Sequence, residues 1–72
     1  MKLTVVLEPA EDGGYTALCP ELDVASQGDS EDDAAENLRE AVDLLLETAP
    51  RAEILRRYRP GVSVRSIEVT YA

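Results

Sequence analysis

The sequence predicts a two-layer α+β domain, an antiparallel sheet of three strands plus a final strand, with one long helix packed on one face. Three observations predict it. Apolar and polar residues alternate over residues 2–8, 15–19 and 66–71, which is strand spacing. One stretch, residues 30–49, repeats its apolar residues at helical spacing instead. The order of these segments, β-β-β-α-β, leaves a single long helix to cover a single sheet face. Seventy-two residues make one domain, 1–72, whose core is small and whose stability margin is correspondingly thin.

In the first strand Leu3, Val5 and Leu7 oppose Lys2, Thr4 and Glu8, with Val6 out of phase, and Pro9 is expected to end it. Glu11-Asp12-Gly13-Gly14 reads as a hairpin loop. Tyr15, Ala17 and Cys19 then alternate with Thr16 and Leu18 until Pro20 breaks the ladder for want of an N–H. Residues 22–27 make a short third strand around Val24, ended by Gly28. Ser30 is a good helix N-cap, and Glu31, Asp32 and Asp33 place negative charge on the first turn, where the helix dipole favours it. Ala34, Leu38, Ala41, Val42, Leu45 and Ala49 form the apolar stripe, and Glu36, Glu40, Asp43 and Glu47 fall opposite. Leu44 lies roughly a third of a turn off the stripe, so it is expected to be partly exposed or to serve as an oligomer contact. Pro50 closes this helix or opens another, and residues 52–58 read as a short second helix with Ile54, Leu55 and Tyr58 as apolar positions. Pro60-Gly61 is a turn before the last strand. If that strand lies parallel beside the first, the crossover should be right-handed.

The net charge is −8 and unevenly spread. Residues 8–47 hold thirteen acids and one base, Arg39, a balance of −12. Residues 48–72 hold five arginines against Glu53 and Glu68, a balance of +3. The larger segment should repel nucleic acid and attract basic surfaces. Catalytic chemistry finds little support. There is no histidine, hence no usual general base or triad partner. Cys19 is the only cysteine, has no basic neighbour in sequence, and reads as a small buried apolar residue. The run 29–33 lacks the ligand spacing of a calcium loop and is better explained as a helix start. No metal or cofactor is expected. The apolar N-terminal stretch is too short for a signal peptide and no membrane span is present, so the expectation is a cytoplasmic protein.

A set of ordered motifs carries a resemblance. Asp12-Gly13-Gly14-Tyr15 leads into Pro20-Glu21-Leu22, then Gln27-Gly28-Asp29-Ser30, then Ala34, Asn37 and Glu40-Ala41 on the helix. This arrangement, over roughly residues 1–48, resembles the N-terminal domain of HicB-type antitoxins. Two departures stand out: Asp23-Val24-Ala25 replaces the Pro-Gly-Cys that commonly follows Pro-x-Leu, and no DNA-binding module follows before Ala72, so operator binding is not expected of this chain. The resemblance implies a partial ribonuclease-H-like fold with the last strand beside the first. It also implies a partner, a small basic HicA-like toxin that cleaves RNA.

Acidic side chains suit a protein that competes with RNA for such a partner, charge steering association and a few desolvated contacts supplying affinity. The candidate partner-binding residues are Glu11, Asp12, Tyr15, Glu21 and Asp23, although Tyr15 reads more readily as a strand tyrosine packed under the helix. Two other readings stand beside this one. The first is an orphan domain that only self-associates, as a dimer or tetramer. The second is a metal-dependent nuclease using carboxylates such as Glu8, Asp23 and Asp43, which requires them to converge.

Overall fold

The computed structural model describes residues 1–71. Its elements are β1 (Val6–Pro9), β2 (Tyr15–Cys19), β3 (Val24–Gly28), α1 (Glu31–Thr48) and α2 (Arg51–Arg57), an α+β fold. The sheet is antiparallel in the order β1-β2-β3. Leu7 pairs with Ala17 and Ala17 with Ser26, while Tyr15 pairs with Pro9 on one side and Gly28 on the other.

That register puts Ala17, Cys19, Ser26 and Gly28 on the face beneath α1. These are small side chains, and they let the helix lie close to the sheet. Leu38 and Ala34 of α1 are buried against them, with Val42 one turn on and Leu22 arriving from the β2–β3 turn. Leu3, Leu7, Tyr15, Val24, Leu45 and Tyr58 pack around this centre.

The closest approach is at Gly28. A Cβ there would stand 2.5 Å from the Ala34 backbone nitrogen and 2.7 Å from the Asp33 carbonyl carbon. Only a residue without a side chain lets the end of β3 touch the first turn of α1. The predicted cap is present: Ser30 is extended and its Oγ accepts from the Asp33 N–H at 3.0 Å. α1 stops at Ala49, which precedes Pro50 and takes the extended conformation that proline imposes on its predecessor. α2 starts directly on Pro50, whose carbonyl accepts from the N–H groups of Glu53 and Ile54. Ile54 and Tyr58 are half-buried as expected, whereas Leu55 is exposed.

Two expectations are corrected. The first strand begins at Val6 rather than residue 2, and Pro9 lies inside it. Extending the register sets Thr4 opposite Pro20, which has no N–H, so the ladder cannot continue; the Thr4 N–H goes to the Glu21 carboxylate instead. Pro9 is tolerated because β1 is an edge strand and its missing donor costs no ladder bond on the open side. The second correction concerns residues 66–71. They form no strand, and Ile67, Val69 and Tyr71 are 82%, 79% and 97% exposed. Alternation fixes which side chains share a face, but a strand also needs a neighbour for its backbone, and no ladder partner stands beside this one among the described residues.

Candidate functional site

The β1–β2 hairpin and the start of α1 enclose a polar groove of about 600 Å³ at one end of the sheet. Local chemistry builds each wall. The hairpin loop is closed by Ala10 N–H to the Gly14 carbonyl at 2.8 Å and by Gly13 N–H to the Ala10 carbonyl at 3.2 Å. Asp12 Oδ1 accepts from the Gly14 N–H at 3.1 Å, an Asx turn that fixes its carboxylate at the rim. On the opposite wall, Asn37 Nδ2 donates to the Gln27 carbonyl at 2.8 Å, tying α1 to β3.

The lining carries four carboxylates, Asp12, Asp29, Asp33 and Glu36, together with Tyr15, Gln27 and Asn37. Tyr15 also packs against the core, as a strand tyrosine under the helix. Among the described residues no group of three or more His, Cys, Asp or Glu side chains could hold a metal ion. The carboxylates of the groove are spread along its walls rather than convergent. Such an arrangement acts through its field and through hydrogen bonds from guanidinium or ammonium groups.

The structure unites some of the predicted partner-binding residues and separates others. Glu11, Asp12 and Tyr15 share the hairpin end. Glu21 and Asp23 lie at the opposite end of β2, in the turn before β3. Asp23 is exposed and holds a positive φ of 56°, which reverses the chain there. Glu21 is buried at 4% exposure and its carboxylate faces inward, so it is placed for an internal role. Leu44 is 60% exposed on the single chain, as its angular position predicts. Asp29, Asp33 and Glu36 were readable only as helix-start and solvent-face charges, because nothing local places the hairpin beside them.

Glu21 organises the far end of the molecule. Its two oxygens accept from the Thr4 N–H at 3.0 and 3.1 Å, and Oε2 also accepts from Thr4 Oγ at 2.5 Å. Cys19 Sγ approaches Oε1 at 3.7 Å, and the Glu21 carbonyl accepts from the Arg59 N–H at 2.9 Å. Arg57 adds a bond from Nη1 to the Leu22 carbonyl at 3.1 Å and pairs with Glu53 within α2. The Thr4 hydrogen bonds hold the Glu21 carboxyl below its usual range, against the opposing effect of burial. Burial pushes the Cys19 thiol up, and the Glu21 charge pushes it the same way, so both disfavour the thiolate of this core residue.

A depressed carboxyl pKa stabilises the fold above the unfolded-state value near pH 4. That contribution should fall as the pH drops through the lower folded-state value and vanish below it. Urea midpoints measured from pH 7 to pH 2 should therefore decline less steeply for Glu21→Gln than for the wild type. Parallel curves would show that another group governs the acid limb.

Among the described residues no helix is long and apolar enough to cross a membrane. No family model and no solved structure matches the chain. Two relatives do. A UPF0150 protein of Synechocystis sp. (strain ATCC 27184 / PCC 6803 / Kazusa) is 43% identical over 70 residues, covering 96% of this chain and 90% of the relative. A second UPF0150 protein of the same organism is 48% identical over 46 residues, covering 62% of this chain and 58% of that protein. With identity at that level along nearly its whole length, the chain belongs to the UPF0150 family.

Proposed function

We propose that this domain is a non-catalytic protein-binding module, an antitoxin that masks a small basic HicA-like RNA-cleaving toxin. The observation that carries the reading is the groove between hairpin and helix, with four carboxylates and a tyrosine on its walls. A surface built for RNA phosphates presents arginine and lysine, and these are the groups such a groove accepts. Tyr15 is the aromatic anchor, and the carboxylates supply steering and selection against nucleic acid. The binding residues under this reading are Asp12, Tyr15, Asp29, Asp33 and Glu36, with Glu11 on the rim. Cytoplasmic location belongs to the same reading, as does the finer arrangement β-β-β-α-β, partial ribonuclease-H-like, in which residues 66–71 supply the last strand at a β1 edge.

Size-exclusion chromatography with light scattering tests it, using the chain co-expressed with the product of its neighbouring gene, which this reading requires to be small and basic. A complex should elute at low salt and weaken as salt rises. Asp29 and Glu36 accept no side-chain hydrogen bond among the described residues, so reversing them should leave the fold intact. Asp29→Lys with Glu36→Lys should slow association on the order of 100-fold at low salt. Binding indifferent to salt and to these reversals would remove the groove from the mechanism. A second reading, a self-associating domain with no toxin partner, is favoured by the exposed apolar residues Leu44, Leu55, Ile67 and Val69. It predicts that no complex forms with the neighbouring gene product at any salt.

A further inference from the structure

Every residue from Arg59 to Tyr71 is exposed, and the segment is anchored to its own subunit by the Arg59 N–H bond to the Glu21 carbonyl. The radius of gyration is 14.2 Å, where a compact chain of this length has about 11 Å, and the long axis reaches 49 Å. The departure point is fixed. Arg59 is bonded to Glu21, and Gly61 two residues on holds φ +86°, a conformation that favours glycine. Beyond it Ile67, Val69 and Tyr71 lie at strand spacing with all three side chains in water.

The body of the domain has a complementary vacancy. α1 lies chiefly over β3 and β2, so the β1 side of the sheet is left partly uncovered. There an apolar groove of about 610 Å³ runs between Leu3 and Val5 on the strand side and Leu38, Val42 and Leu46 on the helix. β1 is an edge strand whose outer N–H and C=O groups have no ladder partner among the described residues. β3 is the other edge, but α1 already covers it, so a strand added there would set its inward side chains on no open apolar floor. The lip of the groove on α1 carries Asp32, Glu36 and Asp43 against Arg39, an acidic margin for a segment preceded by Arg65.

We infer that residues 66–71 of one copy add as a fourth strand to the β1 edge of a second copy, reciprocally. Ile67, Val69 and Tyr71 enter the groove between β1 and α1. The exchange pairs both open edges in one closed two-fold dimer and takes the three exposed side chains out of water. The occupant is a second copy because each chain carries both halves of the joint and its own half lies exposed, outside its own groove. The inference stands apart from the antitoxin reading, and the following test uses this chain alone, so either can fail without the other.

Native mass spectrometry and light scattering on the purified chain should give twice the 7.8 kDa chain mass. Amide exchange at residues 66–71 should be slowed in that species. Ile67→Asp with Val69→Asp should raise the dimer dissociation constant on the order of 100-fold or more, since burying unpaired carboxylates is costly. Because both side chains are exposed on the single subunit, this variant should keep the far-ultraviolet spectrum of residues 1–58. Glu68→Pro, which removes one ladder donor and leaves the apolar face intact, should weaken the dimer as well. A wild-type monomer would overturn the inference, whether its tail is unprotected or protected by closing on its own β1. A dimer indifferent to these tail substitutions would overturn it equally.

Discussion

Leu38→Ala should lower the folding free energy by about 3 kcal/mol, and the melting temperature by roughly 15 °C. A chain of this length has roughly 4–11 kcal/mol of stability in total, so one side chain accounts for a large share. The reason lies in the composition of the core. Of its six buried apolar residues, Ala17, Cys19 and Ala34 are small, and Leu38 is among the few large ones. Its neighbours on the sheet cannot swell to refill the space. The cavity therefore persists and its cost adds to the lost burial. Leu44→Ala, on the same helix but 60% exposed, should change stability by less than about 0.5 kcal/mol. Thermal melts of the two variants at one protein concentration check the pair. Equal losses would mean that Leu44 is buried in an assembly or that the core yields more than its packing implies.

Gly28→Ala should cost about 2 kcal/mol by forcing apart two backbones. The residue has no unusual φ, so the penalty is steric rather than conformational. The added methyl meets the Ala34 nitrogen at 2.5 Å, and a backbone in the first turn of a capped helix cannot rotate away as a side chain would. The helix must move off the sheet, lengthening the Asn37–Gln27 hydrogen bond and opening the polar groove at the same time. Urea unfolding should show a lower midpoint at unchanged slope. A midpoint within error of the wild type would show that the close approach relaxes without penalty.

The contrast between Leu38 and Gly28 also marks what could be read from the residues. Leu38 was legible: its place on the stripe from Ala34 to Leu45 put it at the centre of the helix's buried face, where it lies. The Ser30 cap, the hairpin loop and β3 around Val24 were legible for the same reason, being set by neighbours in sequence. Gly28 was readable as the end of a strand but not as a point of contact, since the touching atoms come together only when β3 meets α1. The groove shares that origin, its acids coming from a loop and a helix turn some twenty residues apart. Glu21 carries a local signal of its inward orientation. Tyr15, Ala17 and Cys19 alternate inward, and position 21 continues the same parity beyond Pro20. A proline ends a ladder without resetting which way the following side chains face. Residues 66–71 were read correctly in pattern and wrongly in state, because pairing depends on an edge that lies elsewhere.

The junction at Glu21 has a kinetic consequence. β1, β2, β3 and α1 follow one another with short connections, and their contacts close small loops that form early. Thr4 and Arg59 reach Glu21 from 17 and 38 positions away, so those bonds are expected to close late, after the sheet and helix are in place. Interactions absent from the folding transition state restrain unfolding alone. In stopped-flow experiments the Glu21→Gln chain should unfold faster while refolding at nearly the wild-type rate. The residue that ties both ends of the chain to the body would then set how long the folded state lasts, not how quickly it is reached.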